Sequence, residues 1–144
     1  MGYSLTMLKP DCIERGMVGF VRSIIEQNKF TIVLEKRMRL SREDAVFVYE
    51  HCSQADFFKG LVEFLTSGDV TVIVVCSTDG TNAVEKLNRL IGHTDPRQAR
   101  VGTIRSFGES IRRNLAHSSA SDIAFNRELR RLFTSNEIQI AGLG

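Results

Sequence analysis

Val70-Thr71-Val72-Ile73-Val74-Val75-Cys76 is apolar at almost every position. A strand with one wet face alternates polar and apolar side chains, so an unbroken run predicts a strand covered on both faces. Upstream, Phe57, Phe58, Leu61, Phe64 and Leu65 recur at helical spacing, which predicts a short helix over Phe57 to Thr66, stopped by Ser67-Gly68. Downstream, Asn82 three residues ahead of Glu85 makes a capping pair. Ala83, Val84, Leu87, Leu90 and Ile91 then form one helical stripe that Gly92 closes.

Further out, Phe30 to Met38 alternates as a strand. Phe30, Ile32, Leu34 and Met38 are assigned to one face, Thr31, Glu35 and Arg37 to the other, with Val33 and Lys36 breaking the rule. Ser41 caps a helix from Arg42 to His51. Met17, Val18, Val21, Ile24 and Ile25 mark an earlier helix, and Tyr3 to Leu8 a first strand ended by Lys9-Pro10. Beyond Gly92, His93 to Arg113 has no clean period and contains Pro96, Gly102 and Gly108; a loop of that length is usually functional. Leu115-Ala116 suits a brief strand leading to His117, and Ser118-Ser119-Ala120-Ser121 a turn into a helix over Asp122 to Phe133. The order is βαββαβ: an α+β, ferredoxin-like antiparallel sheet with helices on one face, in a single domain spanning 1–144. That arrangement hosts many activities and decides none.

Composition narrows the class. The apolar share of 42% and charged share of 25% are those of a folded globular chain of 144 residues. No apolar run approaches the ~20 residues that span a bilayer, so no membrane association is expected. The Met1 to Lys9 stretch lacks a secretory signal's basic head and long apolar centre, and Thr6 alone does not make Gly2 a good myristoylation site. Cys12, Cys52 and Cys76 are odd in number and far apart, as reduced thiols of a cytoplasmic protein are. Net charge is only +2, yet Arg97, Arg100, Arg105, Arg112 and Arg113 share the long loop stretch. A nucleic-acid binder needs a stronger excess; a concentrated patch suits the phosphates of a nucleotide. No strand interleaves aromatic and basic residues, which counts against a nucleic-acid module built on the sheet.

Several strings in this order carry a resemblance. They are Lys9-Pro10-Asp11, Arg15-Gly16-Met17-Val18-Gly19, Phe57-Phe58 through Thr66-Ser67-Gly68, Asn82-Ala83-Val84, Gly102-Thr103-Ile104-Arg105, and Asn114 three residues before His117. From about Leu5 to Phe133 the chain resembles the nucleoside diphosphate kinases. The resemblance implies ping-pong transfer of the γ-phosphoryl group from a nucleoside triphosphate to a nucleoside diphosphate, with His117 as the phosphorylated nucleophile. Arg105 and Thr94 would hold the phosphoryl group, and Lys9 and Asn114 the sugar hydroxyls and phosphate. Tyr49 would hydrogen-bond near the reacting phosphate or histidine. Phe57 with Ile111 would clamp any base by stacking, and Ser119 and Glu128 would hold the histidine ring, Glu128 directly or through the serine. Magnesium would arrive on the nucleotide rather than at a protein metal site, and the protein would be a homo-oligomer, hexamer or tetramer. By residue type alone, Phe57 reads as core, Lys9 and Arg105 as solvated charges, Glu128 as a helix-face carboxylate, and His117 as a surface histidine.

The chain also departs from the family pattern. Ser118 and Ala120 stand where glycine and aspartate are usual around the serine after the nucleophile. Asn88 replaces a phosphate-contacting arginine, with Arg89 one step along. Cys52 stands where histidine is common, His51 being shifted by one; Val101 replaces a proline; the stretch at Ser106-Phe107 is one residue short; and Cys76 to Asp79 holds a small insertion. Together these departures predict a slower enzyme with weaker phosphate binding, and Ser118, Ala120 and Asn88 support the alternative of a catalytically weakened nucleotide-binding or scaffold paralogue. The tail from Ile138 to Gly144 is expected either to pack on a neighbour or to fray.

Overall fold

In a computed structural model that describes residues 2–144, the apolar run becomes strand β3 (Val70–Ser77). It pairs antiparallel with β1 (Tyr3–Leu8) on one side and β2 (Phe30–Met38) on the other. The short β4 (Ala116–Ser118) adds antiparallel to β1, so the sheet order is β2-β3-β1-β4. The helices are α1 (Pro10–Glu14), α2 (Val18–Gln27), α3 (Arg42–Tyr49), α4 (Phe58–Leu65), α5 (Ala83–Ile91), α6 (Asp122–Leu132) and α7 (Ser135–Ile140).

Alternate residues of β3 serve two cores, which is why its sequence does not alternate. Ile73 and Val75 pack with Cys12 of α1, Val21 and Ile25 of α2, and Ala83, Leu87 and Ile91 of α5. Val70, Val72 and Val74 pack with Ala45 and Val48 of α3, Leu61 and Leu65 of α4, and Phe125 and Leu129 of α6. The two crossover helices of the βαββαβ skeleton, α2 and α5, therefore share one face, as expected. The helices inserted between β2 and β3 and those after β4 cover the other. Each buried valine or isoleucine contributes about 1.5–3 kcal/mol, so the doubly covered strand is the anchor of the domain.

Strand β2 differs from the sequence reading. Ile32 is opposite Val75 but Leu34 is opposite Val74, with a register shift between them. Val33 is the extra residue of a bulge, and one added residue inverts the phase of all that follows. Phe30 and Ile32 consequently pack in the α2–α5 core, whereas Val33, Leu34 and Met38 pack in the other. The four residues assigned to one face lie on two.

The local signals act as their chemistry dictates. Ser41 Oγ accepts from the Asp44 N–H at 3.0 Å and Asp44 Oδ2 accepts from the Ser41 N–H at 3.1 Å, a reciprocal cap on α3. Asn82 Oδ1 accepts from the Glu85 N–H at 3.1 Å. The tail folds back onto its own chain at Ile138 and Leu143 and leaves Ile140 exposed. Thr134 and Glu137 form a second capping box that opens α7, Ile138 is buried in the first core, and Leu143 packs against it.

Candidate active site

The sheet ends bring β1, α5 and β4 together beside a cavity of about 1530 Å³. Of the ten residues singled out from the sequence, nine line it: Lys9, Tyr49, Phe57, Thr94, Arg105, Ile111, Asn114, His117 and Glu128. The tenth, Ser119, is fully buried and reaches the site through Glu128. Of the five loop arginines, Arg100 alone is absent from the cavity wall.

His117 lies in the middle of β4, opposite Met7, and is 8% exposed. Thr6 Oγ1 donates to its backbone oxygen at 2.8 Å. Its Nε2 is 3.1 Å from Glu128 Oε1, and the same carboxylate oxygen accepts from Ser119 Oγ at 2.7 Å. Of the two modes raised from the sequence, the contact from Glu128 is direct and the serine braces the carboxylate. A carboxylate can only accept, so Nε2 carries the proton and the neutral ring keeps its lone pair on Nδ1. Tyr49 meets the imidazole with its ring, centroids 5.2 Å apart. Burial pushes the Tyr49 hydroxyl above the ordinary phenol range, so it stays a protonated donor.

The approach to β4 is held by contacts that no sequence pattern announced. Leu115 is fully buried with φ 79°, a left-handed conformation that costs a bulky residue about 1–3 kcal/mol. Its carbonyl accepts from the Lys9 N–H at 2.8 Å, and its N–H donates to Asp11 Oδ2 at 3.0 Å. Asp11 is fully buried, and burial raises its carboxyl above the usual range, with Lys9 and the Leu115 bond opposing. Gly108 permits the loop to fold back here: a Cβ would stand 2.7 Å from Asn114 Cα.

The Lys9 Nζ donates to Asn114 Oδ1 at 2.9 Å, and Asn114 Nδ2 donates to the Thr94 carbonyl at 2.9 Å. Burial pushes the Lys9 ammonium down to about 8, Asp11 partly restoring it and Arg105 and Arg112 lowering it further. Arg105 donates from Nε to the Ala116 carbonyl and from Nη1 to the Gly92 carbonyl, both at 3.1 Å. Those bonds fix its plane and leave the Nη2 group and one Nη1 proton for a ligand. Phe57 and Ile111 are 55% and 56% exposed, so Phe57 is a rim residue; Leu61, Val62 and Leu65 are the core side of that helix.

Two of the departures meet each other. Ser118 Oγ donates to Asn88 Oδ1, and Asn88 Nδ2 donates to the Ser119 carbonyl at 3.2 Å. Asn88 thus ties α5 to the turn behind His117. Asp11, Asn88 and Ser118 had no role in the sequence reading, because their partners lie 30 to 104 residues away. His51 stacks on Tyr49 at 6.0 Å, and it and Cys52 both line the cavity.

An imidazole with one nitrogen tied and the other free, faced by an ammonium and a guanidinium, is equipped to take up a phosphoryl group. Comparison with known proteins agrees in kind. The family model for nucleoside diphosphate kinase matches residues 3–138. The nucleoside diphosphate kinase of Campylobacter fetus is 40% identical over 139 residues, 96% of this chain and 99% of that protein. That of Nitratiruptor is 38% identical with the same coverage. Among solved structures, the Encephalitozoon cuniculi nucleoside diphosphate kinase superposes with a TM-score of 0.89 at 30% identity, covering 95% of this chain and 92% of that one. The Halobacterium salinarum enzyme, solved in complex with CDP, gives 0.86 at 33% identity, covering 94% and 89%. The chain belongs to the nucleoside diphosphate kinase family.

Proposed function

We propose that this protein transfers the γ-phosphoryl group of a nucleoside triphosphate to a nucleoside diphosphate in two steps through His117. The observation that carries this reading is the Glu128-tied imidazole at the wall of a cationic cavity. In the first step the Nδ1 lone pair forms the N–P bond while the bond from the γ-phosphorus to the bridging oxygen breaks, its electron pair leaving with the diphosphate. The ring's positive charge is balanced by Glu128 across Nε2. Lys9 and the free edge of Arg105 stabilise charge on the phosphoryl oxygens and the departing diphosphate. The second step reverses the first onto another diphosphate. Asn114 and Lys9 orient the sugar, Thr94 offers an exposed hydroxyl, and Tyr49 donates near the reacting group.

Phe57 and Ile111 face the cavity with apolar surface alone, so stacking accepts any base and specificity is broad. Lys9 and Arg105 give the cavity a cationic wall that suits phosphates, and a magnesium ion would arrive on those phosphates. Bound there, the ion would neutralise phosphate charge. The chain is read as one domain over 1–144, since a single sheet supplies both cores. Free thiols at Cys12, Cys52 and Cys76 suit the cytoplasm, and among the described residues no helix is long and apolar enough to cross a membrane. Exposed Val101, Phe20 and Phe107 suit a homo-oligomer, hexamer or tetramer, that covers them.

Incubation with γ-labelled ATP, followed by mass spectrometry, is expected to find one acid-labile phosphate on the His117 peptide. Any nucleoside diphosphate should then discharge it as the triphosphate. Transfer that requires both nucleotides bound together, with no phosphoenzyme, would overturn the reading. A pH dependence follows from Lys9. Its charge is present below about 8 and lost as pH rises through that value, so kcat/KM is expected to fall on the alkaline side. In Lys9→Arg that limb should move beyond pH 9, read from the pH–rate profile.

A further inference from the structure

Of the cavity cations that take no part in the steps above, Arg97, Arg113 and Arg127 each have a carboxylate within 4 Å, and Arg112 has none among the described residues. Arg112 belongs to the segment that closes on itself through the Glu109 N–H to the Arg113 carbonyl at 2.8 Å. Its guanidinium rests against the α4 backbone at Gly60, where a Cβ would stand 2.5 Å from Nη2 and 3.1 Å from Cζ. Glycine inside a helix costs about 1 kcal/mol relative to alanine, and here its missing side chain is the space the guanidinium occupies. Gly60 follows Phe57 by three residues and precedes Phe64 by four, so the three lie along one side of α4. Phe57 is at the cavity rim, whereas the Phe64 ring is 5.8 Å from Lys9 Nζ.

Arg112 therefore sits along the α4 wall between the aromatic rim and the ammonium deeper in. Its neighbour Arg113 has Glu14 at 3.8 Å and the Phe64 ring at 5.1 Å, and Arg97 has Asp95 at 3.0 Å. Among the described residues no carboxylate pairs with Arg112. An unpaired guanidinium beside another cation, facing a cavity, is stabilised by an anion placed between them. Its planar fork matches the oxygens of a phosphate.

Building on the transfer reading, we propose that Arg112 is a nucleotide-binding residue of this chain, donating from the α4 wall to the phosphates that stay with the nucleoside. Gly60 is the positioning residue that makes room for it. Equilibrium binding of ADP, GDP, CDP and UDP to the full chain tests this, with Arg112→Gln and Gly60→Ala as the two variants. Each is expected to weaken all four diphosphates by roughly tenfold and by a common factor, the loss of a charged hydrogen bond. Adenosine, which has no phosphate, should bind as before, and the double variant should lose little beyond either single one. Gly60→Ala removes no charge and displaces only the end of a flexible side chain, so its melting temperature should match or exceed that of the unaltered chain.

Unchanged diphosphate affinity in both variants would overturn the proposal. So would losses confined to one base, which would place Arg112 on a base edge. Should the unaltered chain bind ADP but form no phosphoenzyme, the transfer reading falls and this assignment stands. Normal phosphoenzyme with unaltered affinities would remove Arg112 alone.

Discussion

His117→Ala is expected to reduce turnover by at least about 10⁴-fold and to abolish the acid-labile phosphoenzyme. Removing a covalent nucleophile takes away a reaction path, whereas loss of a binding group only weakens one, and enzymes that lose a nucleophile fall by several powers of ten. No second imidazole stands in for it. His51 stacks on Tyr49 at 6.0 Å, and His93 is not part of the cavity wall, its Nδ1 accepting from the Asp95 N–H at 2.9 Å. The measurement is single-turnover transfer from labelled triphosphate, with nucleotide affinity followed in parallel. Affinity should be retained, because Lys9, Arg105 and Phe57 are untouched. Turnover within tenfold of the unaltered protein would show that the phosphoryl group passes without this ring.

Glu128→Ala should give the next largest loss, about 10²- to 10³-fold in the rate of phosphoenzyme formation, as expected when the group fixing a catalytic histidine's tautomer is lost. Glu128 is 6% exposed and accepts from both His117 Nε2 and Ser119 Oγ. Without it the proton is free to move to Nδ1, the ring is free to turn, and nothing balances the charge that phosphorylation places on the imidazole. Glu128→Gln keeps an acceptor oxygen and should lose much less. Ser119→Ala removes one brace on the carboxylate and should fall between the unaltered protein and Glu128→Ala. If alanine and glutamine at position 128 gave equal rates, the carboxylate would have no part in holding the tautomer. Thermal unfolding of each variant separates these effects from destabilisation, since Ser119 is left with its hydroxyl buried.

Asn88 and Ser118 show how a departure from a pattern is read only in part from sequence. By identity alone Asn88 pointed to a lost phosphate contact and Ser118 to a lost glycine. In the fold they bond to one another and Asn88 bonds to the Ser119 carbonyl, so the two changes act together as a strut behind His117. A hydrogen bond between residues 30 positions apart has no local signature, and neither side chain by itself calls for the other.

The sequence alone determined those features that depend on neighbours along the chain. The apolar run at 70–76, the stripe at 83–91, the Ser41 cap and the glycine stop at 92 each follow from a few adjacent residues. The motif strings likewise placed the family and ten candidate site residues. Tertiary structure decided what depends on contacts between distant segments. The bulge at Val33 inverts the second half of β2 because its register is set against β3, and two cores exist because α3, α4 and α6 close over the face that α2 and α5 leave open. The tail turns inward because Ile138 finds that same core. Leu115 holds a left-handed backbone only because Asp11, over a hundred residues earlier, accepts its N–H, and Arg112 has its place only because Gly60 has no side chain. Local propensity and periodicity act within one turn or one strand; packing and buried hydrogen bonds act between partners that the chain order keeps apart.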